Sequence, residues 1–158
     1  GIIGSFCHEH GLIHYEISNY ALEGYISRHN SSYWKQVPYI GLGPSAHSYD
    51  RRSRQWNVAD VKKYIRAIEK GEIPSEWEEL DRLTGFNEYV MTSLRTMWGI
   101  DLQHVEEMYD KELHDYLVNL SDRYIRYGLM KREKNTLILT DQGKMISDNI
   151  IAELLADL

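Results

Sequence analysis

The heptapeptide RHNSSYW, residues 28–34, sets an imidazole, a carboxamide, two hydroxyls, a phenol and an indole in a row behind a guanidinium. A neutral imidazole nitrogen at His29 is a good ligand for a metal ion. The rings of Tyr33 and Trp34 have the shape to wall a flat apolar ligand that carries such a metal at its centre. The segment repeats at neither a helical nor a strand period, so it reads as an irregular loop. A plainer reading stays open, in which His29 is a loop histidine satisfied by hydrogen bonds.

A second pattern follows in GLGPSA, Gly41 to Ala46, which formally satisfies the dinucleotide fingerprint G-x-G-x-x-[GA]. That fingerprint works only where a helix starts at the loop and offers its first amides to a pyrophosphate. Here HSYDRRSRQWN follows, with Pro44 inside the motif and no helical stripe behind it. The glycines then serve close backbone approach to some ligand, or simply a tight bend. The other histidines, His8, His10, His14, His47, His104 and His114, show no zinc spacing with cysteine; Cys7 with His8 and His10 makes a weak trio on one helix end. Arg123, Arg126, Lys131, Arg132 and Lys134 cluster around one segment and invite a phosphate backbone. A solvated face explains them more simply, because the 158-residue chain carries a net charge of -6, and nucleic acid is not expected as a partner.

The elements that hold these groups can be read from pattern. Ile2, Ile3 and Phe6 before Gly11 read as the end of a helix, and LIHYEIS as a strand. From Asn19 to Trp56 the pattern dissolves into Gly, Ser, Pro, Tyr and Arg. A stretch of that kind, rich in aromatic residues, is functional rather than disordered. Asn57 is then expected to cap a helix with the stripe Val58, Val61, Ile65 and Ile68, stopped by Gly71. Asp81 opens a longer helix along Leu83, Phe86, Val90, Leu94 and Met97, stopped by Gly99. Asp101 caps a short helix, and Leu113, Leu117, Leu120 and Tyr124 stripe another that ends at Gly128. A hairpin turning at Lys134 and Asn135 follows, and Thr140 or Asp141 caps a last helix along Ile146, Ile150 and Leu154. Helix, helix, hairpin, helix is a winged-helix-like order.

Composition narrows the setting. One cysteine among 158 residues allows no internal disulfide, and no apolar run approaches the ~18–20 residues of a membrane span, so a soluble, cytoplasmic location is expected. With 12 Tyr and 4 Trp against 2 Phe, most large rings carry a polar handle that needs a partner when buried. The start GIIGSFCHEHG has neither an initiator methionine nor a signal-peptide pattern, and the chain reads as beginning inside a larger protein.

Three strings carry a resemblance: E-I-S-N-[FY]-A at Glu16 to Ala21, H-N-x-x-Y-W at His29 to Trp34, and G-x-G-P-x-A-H-S at Gly41 to Ser48. With LTDQGKMISDNII, Leu139 to Ile151, which matches an L-T-x-x-G ending, they resemble the HemW group of radical S-adenosylmethionine proteins, relatives of the HemN oxygen-independent coproporphyrinogen III oxidases. The resemblance spans essentially the whole chain. It implies an α+β chain: residues 1–56 as the closing part of a radical S-adenosylmethionine (β/α) barrel with the heme and cofactor loop, and residues 57–158 as a mostly helical, winged-helix-like C-terminal domain.

In that group H-N-x-x-Y-W is the heme-binding motif, which the genuine oxidases lack. The resemblance therefore implies His29 as the iron ligand with Asn30, Tyr33 and Trp34 around it, and Gly41, Gly43, Ala46 and His47 as contacts to S-adenosylmethionine. The implied role is a heme chaperone that passes heme to a recipient hemoprotein, membrane-associated ones included. The alternative is part of an oxidase that decarboxylates coproporphyrinogen III. The family holds a four-iron four-sulfur cluster in C-x-x-x-C-x-x-C, and this chain has the single Cys7, so catalytic silence is expected of it alone. A truncated barrel would also bare a strand edge at residues 12–18 and favour self-association.

Overall fold

The computed structural model describes residues 2–157. The chain is α+β and divides into two compact units, one formed by Gly1–Lys35 with Phe86–Leu158 and the other by Gln36–Gly85.

The first unit opens with α1 (Ile2–Glu9), which ends in a left-handed Gly11 at φ 71° as its sequence suggests. Strand β1 (Ile13–Glu16) folds back on β2 (Asn19–Ala21) in antiparallel register, with an irregularity between His14 and Glu16. Its other side is occupied as well: Ile17 N donates to Arg95 O, and Met97 N donates to Tyr15 O, both at 3.0 Å. The bare edge expected along residues 12–18 is therefore taken up over residues 15–17 by the chain itself.

The expected loop at RHNSSYW is a helix, α2 (Arg28–Trp34). Its signal is a cap rather than a stripe. Ser27 Oγ accepts the Asn30 N–H at 3.2 Å, which satisfies one of the amides a helix start leaves open. Seven residues make barely two turns, and Ser31 is the only one fully buried, so no apolar period exists for the sequence to display.

The second unit contains β3 (His47–Tyr49), β4 (Ser53–Asn57), α3 (Val61–Glu69) and β5 (Ser75–Glu79), the strands forming an antiparallel sheet in the order β3-β4-β5. This sheet pairs residues on both sides of position 56, as in Trp56 with Glu76 and Asn57 with Ser75. The expected cap of α3 moves. Asn57 ends β4, and Asp60 caps the helix by accepting from Lys63 N at 2.9 Å. The stripe of Val61, Ile65 and Ile68 forms on α3 but stays about half exposed, and the one fully buried residue of the unit is Asn57.

The long helix α4 (Arg82–Leu94) carries Phe86, Val90 and Leu94 inward at 0–1 % exposure, and Asp81 caps it through Thr84 N at 2.8 Å. In the first unit there follow β6 (Ile100–Asp101), α5 (Leu102–Met108), α6 (Lys111–Arg126), β7 (Met130–Glu133) and β8 (Thr136–Leu139), with sheet order β6-β8-β7. Leu113 and Leu117 of α6 are fully buried, and each such side chain stabilises by roughly 1.5–3 kcal/mol relative to exposure. The hairpin turns at Lys134 and Asn135 as its sequence suggests, with Lys134 held at φ 56°.

The last helix is broken in two, α7 (Asp141–Lys144) and α8 (Ser147–Leu154), and Ile146 at the break is 44 % exposed instead of lying on the expected stripe. The L-T-x-x-G string has a structural cause. Thr140 Oγ1 donates to Gly128 O at 2.8 Å and accepts from Gly143 N at 3.1 Å. A Cβ on Gly143 would lie 1.9 Å from Leu129 O, so only glycine lets α7 start this close to the hairpin.

Candidate functional site

Helix α2 presents His29 and Tyr33 one turn apart on its exposed side, ring centroids 5.0 Å apart and nearly perpendicular. Asn30 is exposed beside them. Trp34 faces the other way and is half-buried. Its indole Nε1, like Ser31 Oγ, is buried without a hydrogen-bond partner among the described residues. The four residues expected to act together thus divide: His29, Asn30 and Tyr33 are offered outward, and Trp34 anchors the helix.

The anchor leads to a residue with no local sequence signal. The Arg95 guanidinium lies over the Trp34 ring, 5.8 Å from its centroid. Its Nε and Nη2 are each 3.1 Å from Glu16 Oε1, a carboxylate only 2 % exposed. Glu16 Oε2 accepts from Ser18 N at 2.9 Å and from Asn19 Nδ2, so both carboxylate oxygens are engaged. A buried charge is tolerated on these terms, with a counterion and hydrogen bonds to its remaining lone pairs. Arg95 also approaches Asp148 at 3.6 Å. The Glu16 end of E-I-S-N-[FY]-A is thereby joined to the Trp34 end of H-N-x-x-Y-W. Within the same string Tyr20 stacks on His14 at 4.2 Å, and burial, then the negative fields of Cys7 and Asp141, push its phenol above the ordinary value.

The glycine-rich string lies in the second unit and is internally tied. Gly41 N donates to Ser48 Oγ at 3.0 Å, and Gly43 N to Tyr64 Oη at 3.3 Å. Asn57 Nδ2 clamps Gly43 O at 2.9 Å and Gly41 O at 3.4 Å, while its backbone N–H donates to Ala46 O at 2.9 Å. A Cβ on Gly41 would lie 2.1 Å from His47 O, and Gly43 sits at φ 102°. A strand, β3, follows the string rather than a helix, so the dinucleotide geometry is not formed. The exposed His47 ring tilts toward Trp56 at 6.4 Å, and the two help line a cleft of about 480 Å³ with Ser45, Asp60, Lys63 and Glu76.

Cationic residues at the hairpin are drawn into local pairs: Lys131 Nζ with Glu133 at 2.6 Å, and Arg123 with Glu153. Among the described residues no group of three or more His, Cys, Asp or Glu is placed to hold a metal ion, and Cys7 is buried. The residues present do not fit a four-iron four-sulfur cluster, which needs three thiolates. An exposed imidazole beside a phenol does fit the single axial ligation that heme iron accepts. Among the described residues no helix is long and apolar enough to cross a membrane.

Residues 80–146 match the family model described as the HemN C-terminal domain. The chain is 32 % identical over 158 residues to the "Heme chaperone HemW" of Bacillus subtilis (strain 168), covering 99 % of this chain and 42 % of that protein. It is 26 % identical over 149 residues to the "Heme chaperone HemW" of Lactococcus lactis subsp. lactis, covering 94 % and 39 %. Its fold is similar to a solved structure titled "Coproporphyrinogen III oxidase (HemN) from Escherichia coli is a Radical SAM enzyme", with a TM-score of 0.67 at 18 % identity, covering 99 % of this chain and 40 % of that one. The chain is thus similar along nearly its whole length to the HemW/HemN-like group of radical S-adenosylmethionine proteins. Within it the chain spans about two fifths of the length of the curated relatives it matches, and those relatives are named as heme chaperones.

Proposed function

We propose that this chain is the heme-holding portion of a HemW-like heme chaperone, with His29 as the iron ligand and Asn30, Tyr33 and Trp34 completing the heme segment. The observation that carries this is the outward pairing of His29 and Tyr33 on one side of α2, which leaves an imidazole nitrogen free to meet a flat ligand. Heme is cargo here, to be passed to a recipient hemoprotein, at a membrane or in the cytoplasm. Self-association, if part of the function, would use a surface other than residues 15–17, which are already paired.

In this reading residues 1–56 form the closing edge of a (β/α) barrel, and residues 57–158 the winged-helix-like C-terminal domain. Gly41, Gly43, Ala46 and His47 belong to the side that meets S-adenosylmethionine. The backbone groups of that string are largely engaged internally, so the cofactor would be met chiefly by the exposed His47 ring. The cluster that activates S-adenosylmethionine would have to be held by thiolates other than this chain's one cysteine. The oxidase alternative rests on likeness of fold to the Escherichia coli enzyme, whereas the Bacillus subtilis and Lactococcus lactis relatives, similar over 99 % and 94 % of this chain, are named heme chaperones. Titrating hemin into wild type and His29→Ala tests the proposal: the variant should bind more weakly and with a displaced Soret band, and identical curves would refute it.

A further inference from the structure

We propose that Arg95 is the positioning residue of the heme helix: held by the buried Glu16, its guanidinium plane carries Trp34 and thereby fixes the direction in which α2 presents His29. The proposal rests on the heme reading above and adds to it a residue outside the heme motif.

Two partners, Glu16 and Trp34, converge on Arg95, and each constrains a different freedom. The two 3.1 Å hydrogen bonds to Glu16 Oε1 fix where the guanidinium lies. Glu16 cannot drift, because Ser18 N and Asn19 Nδ2 hold its other oxygen and β1 is paired on both sides. The guanidinium carbon then lies over the Trp34 ring, 5.8 Å from its centroid. Cation–π contact of this kind is directional and strengthens as water is excluded, and Trp is its best aromatic partner. Trp34 is the last residue of a seven-residue helix with one fully buried side chain, Ser31, whose hydroxyl finds no hydrogen-bond partner among the described residues. Lys35, at the C-cap, also lies over the Trp98 ring at 4.2 Å, but within the helix it is Trp34 that the Arg95 platform holds, and this sets the rotation of α2 about its axis. That rotation decides where His29, five residues back, points.

Lysine cannot replace this arrangement. It keeps the charge beside Glu16 but offers a point cation without the planar fork that engages the carboxylate and an aromatic face together. An ion-pair role alone is therefore rescued by Arg95→Lys, and a positioning role is not.

The test measures hydrogen exchange of residues 27–35 and hemin binding in wild type, Arg95→Lys and the charge-balanced pair Glu16→Gln/Arg95→Met. The pair avoids stranding a buried carboxylate and keeps the chain folded should the single variant fail to fold. Exchange across residues 27–35 should rise at least about tenfold in both, and by a larger factor than that of the α6 amides, which report global stability. Hemin affinity should fall about tenfold, with the Soret band moving toward that of His29→Ala. Unchanged exchange of residues 27–35 in both variants would overturn the proposal. So would a hemin response that depends on His29 yet ignores both changes at Arg95. If hemin binding proves indifferent to His29 itself, the heme reading fails on its own, and the exchange arm still decides whether Arg95 docks α2.

Discussion

Arg95 reaches across 79 positions of sequence to Glu16, joining the end of α4 to a carboxylate that is 2 % exposed. The pair is asymmetric in what its loss does. Removing Arg95 strands a buried charge, whereas removing both charges leaves a cavity of ordinary polarity. Arg95→Ala should destabilise the chain by about 3 kcal/mol, at the low end for a buried pair because Arg95 itself is partly exposed. Glu16→Gln/Arg95→Met should destabilise by less than the single change. Urea unfolding of the three proteins checks this, and a larger loss in the double variant would contradict it.

Gly41 and Gly43 predict different outcomes for the same substitution. At Gly41 a methyl group would meet His47 O at 2.1 Å, backbone that has to move. At Gly43 the space is open and only the positive φ opposes a side chain. Gly41→Ala should cost about 3 kcal/mol or more and Gly43→Ala about 1 kcal/mol. Thermal melts that show equal losses would remove the packing explanation for the first glycine.

The second unit lacks a fully buried apolar side chain, while the first is filled by Phe86, Leu94, Leu113 and Leu117. Amide exchange should therefore occur by local opening throughout β3 to β5, and only by global unfolding in α6. Exchange measured against added urea separates the two, since local opening is nearly independent of denaturant. A steep urea dependence in β4 would show the unit to be as cooperative as the other.

Three carboxylates bring a pH dependence with a definite sign. Backbone N–H groups hold Asp81, Asp60 and Asp50 below the ordinary carboxylate value, through Thr84, through Lys63, and through Arg52 and Ser53 respectively. A depressed folded pKa contributes stability that is fully present above the unfolded value near ~3.9 and is lost as pH falls through the folded one. Unfolding free energy should be insensitive to these groups from neutrality to about pH 5 and decline below that. Asp81→Asn should flatten part of the decline while preserving a cap. An unchanged acid limb in that variant would exclude Asp81 as a contributor.

Much of the first unit is legible in the sequence, because α4 and α6 bury long stripes whose period survives any context, and Gly11 and Gly128 follow the ends of α1 and α6 with positive φ; α4, however, stops at Leu94, five residues short of the expected Gly99, because Thr96 and Met97 leave the helix to pair with β1. The hairpin is legible for a similar reason: a polar Lys134–Asn135 turn between short apolar segments admits few alternatives. The site is harder to read. Helix α2 is too short to carry a stripe, and its cap, Ser27, lies one residue outside the motif. Strand β5, written SEWEE, is exposed along nearly its whole length and shows no apolar alternation. Asn57 suits a helix cap by type, but tertiary contacts assign it to the glycine string, and Asp60 caps α3 instead. The Glu16–Arg95–Trp34 chain joins three distant segments, and no local pattern encodes a contact of that range.

Chemical rescue of His29 tests the central claim most directly. Wild type and His29→Ala would be loaded with hemin and their Soret bands recorded before and after addition of free imidazole, which supplies the missing ligand without restoring the side chain. The account predicts a displaced band in the variant that returns to the wild-type position with imidazole, while the wild-type band stays put. Superimposable spectra of the two proteins before imidazole would mean that hemin is held elsewhere, on exposed apolar surface, and that His29 is not its ligand.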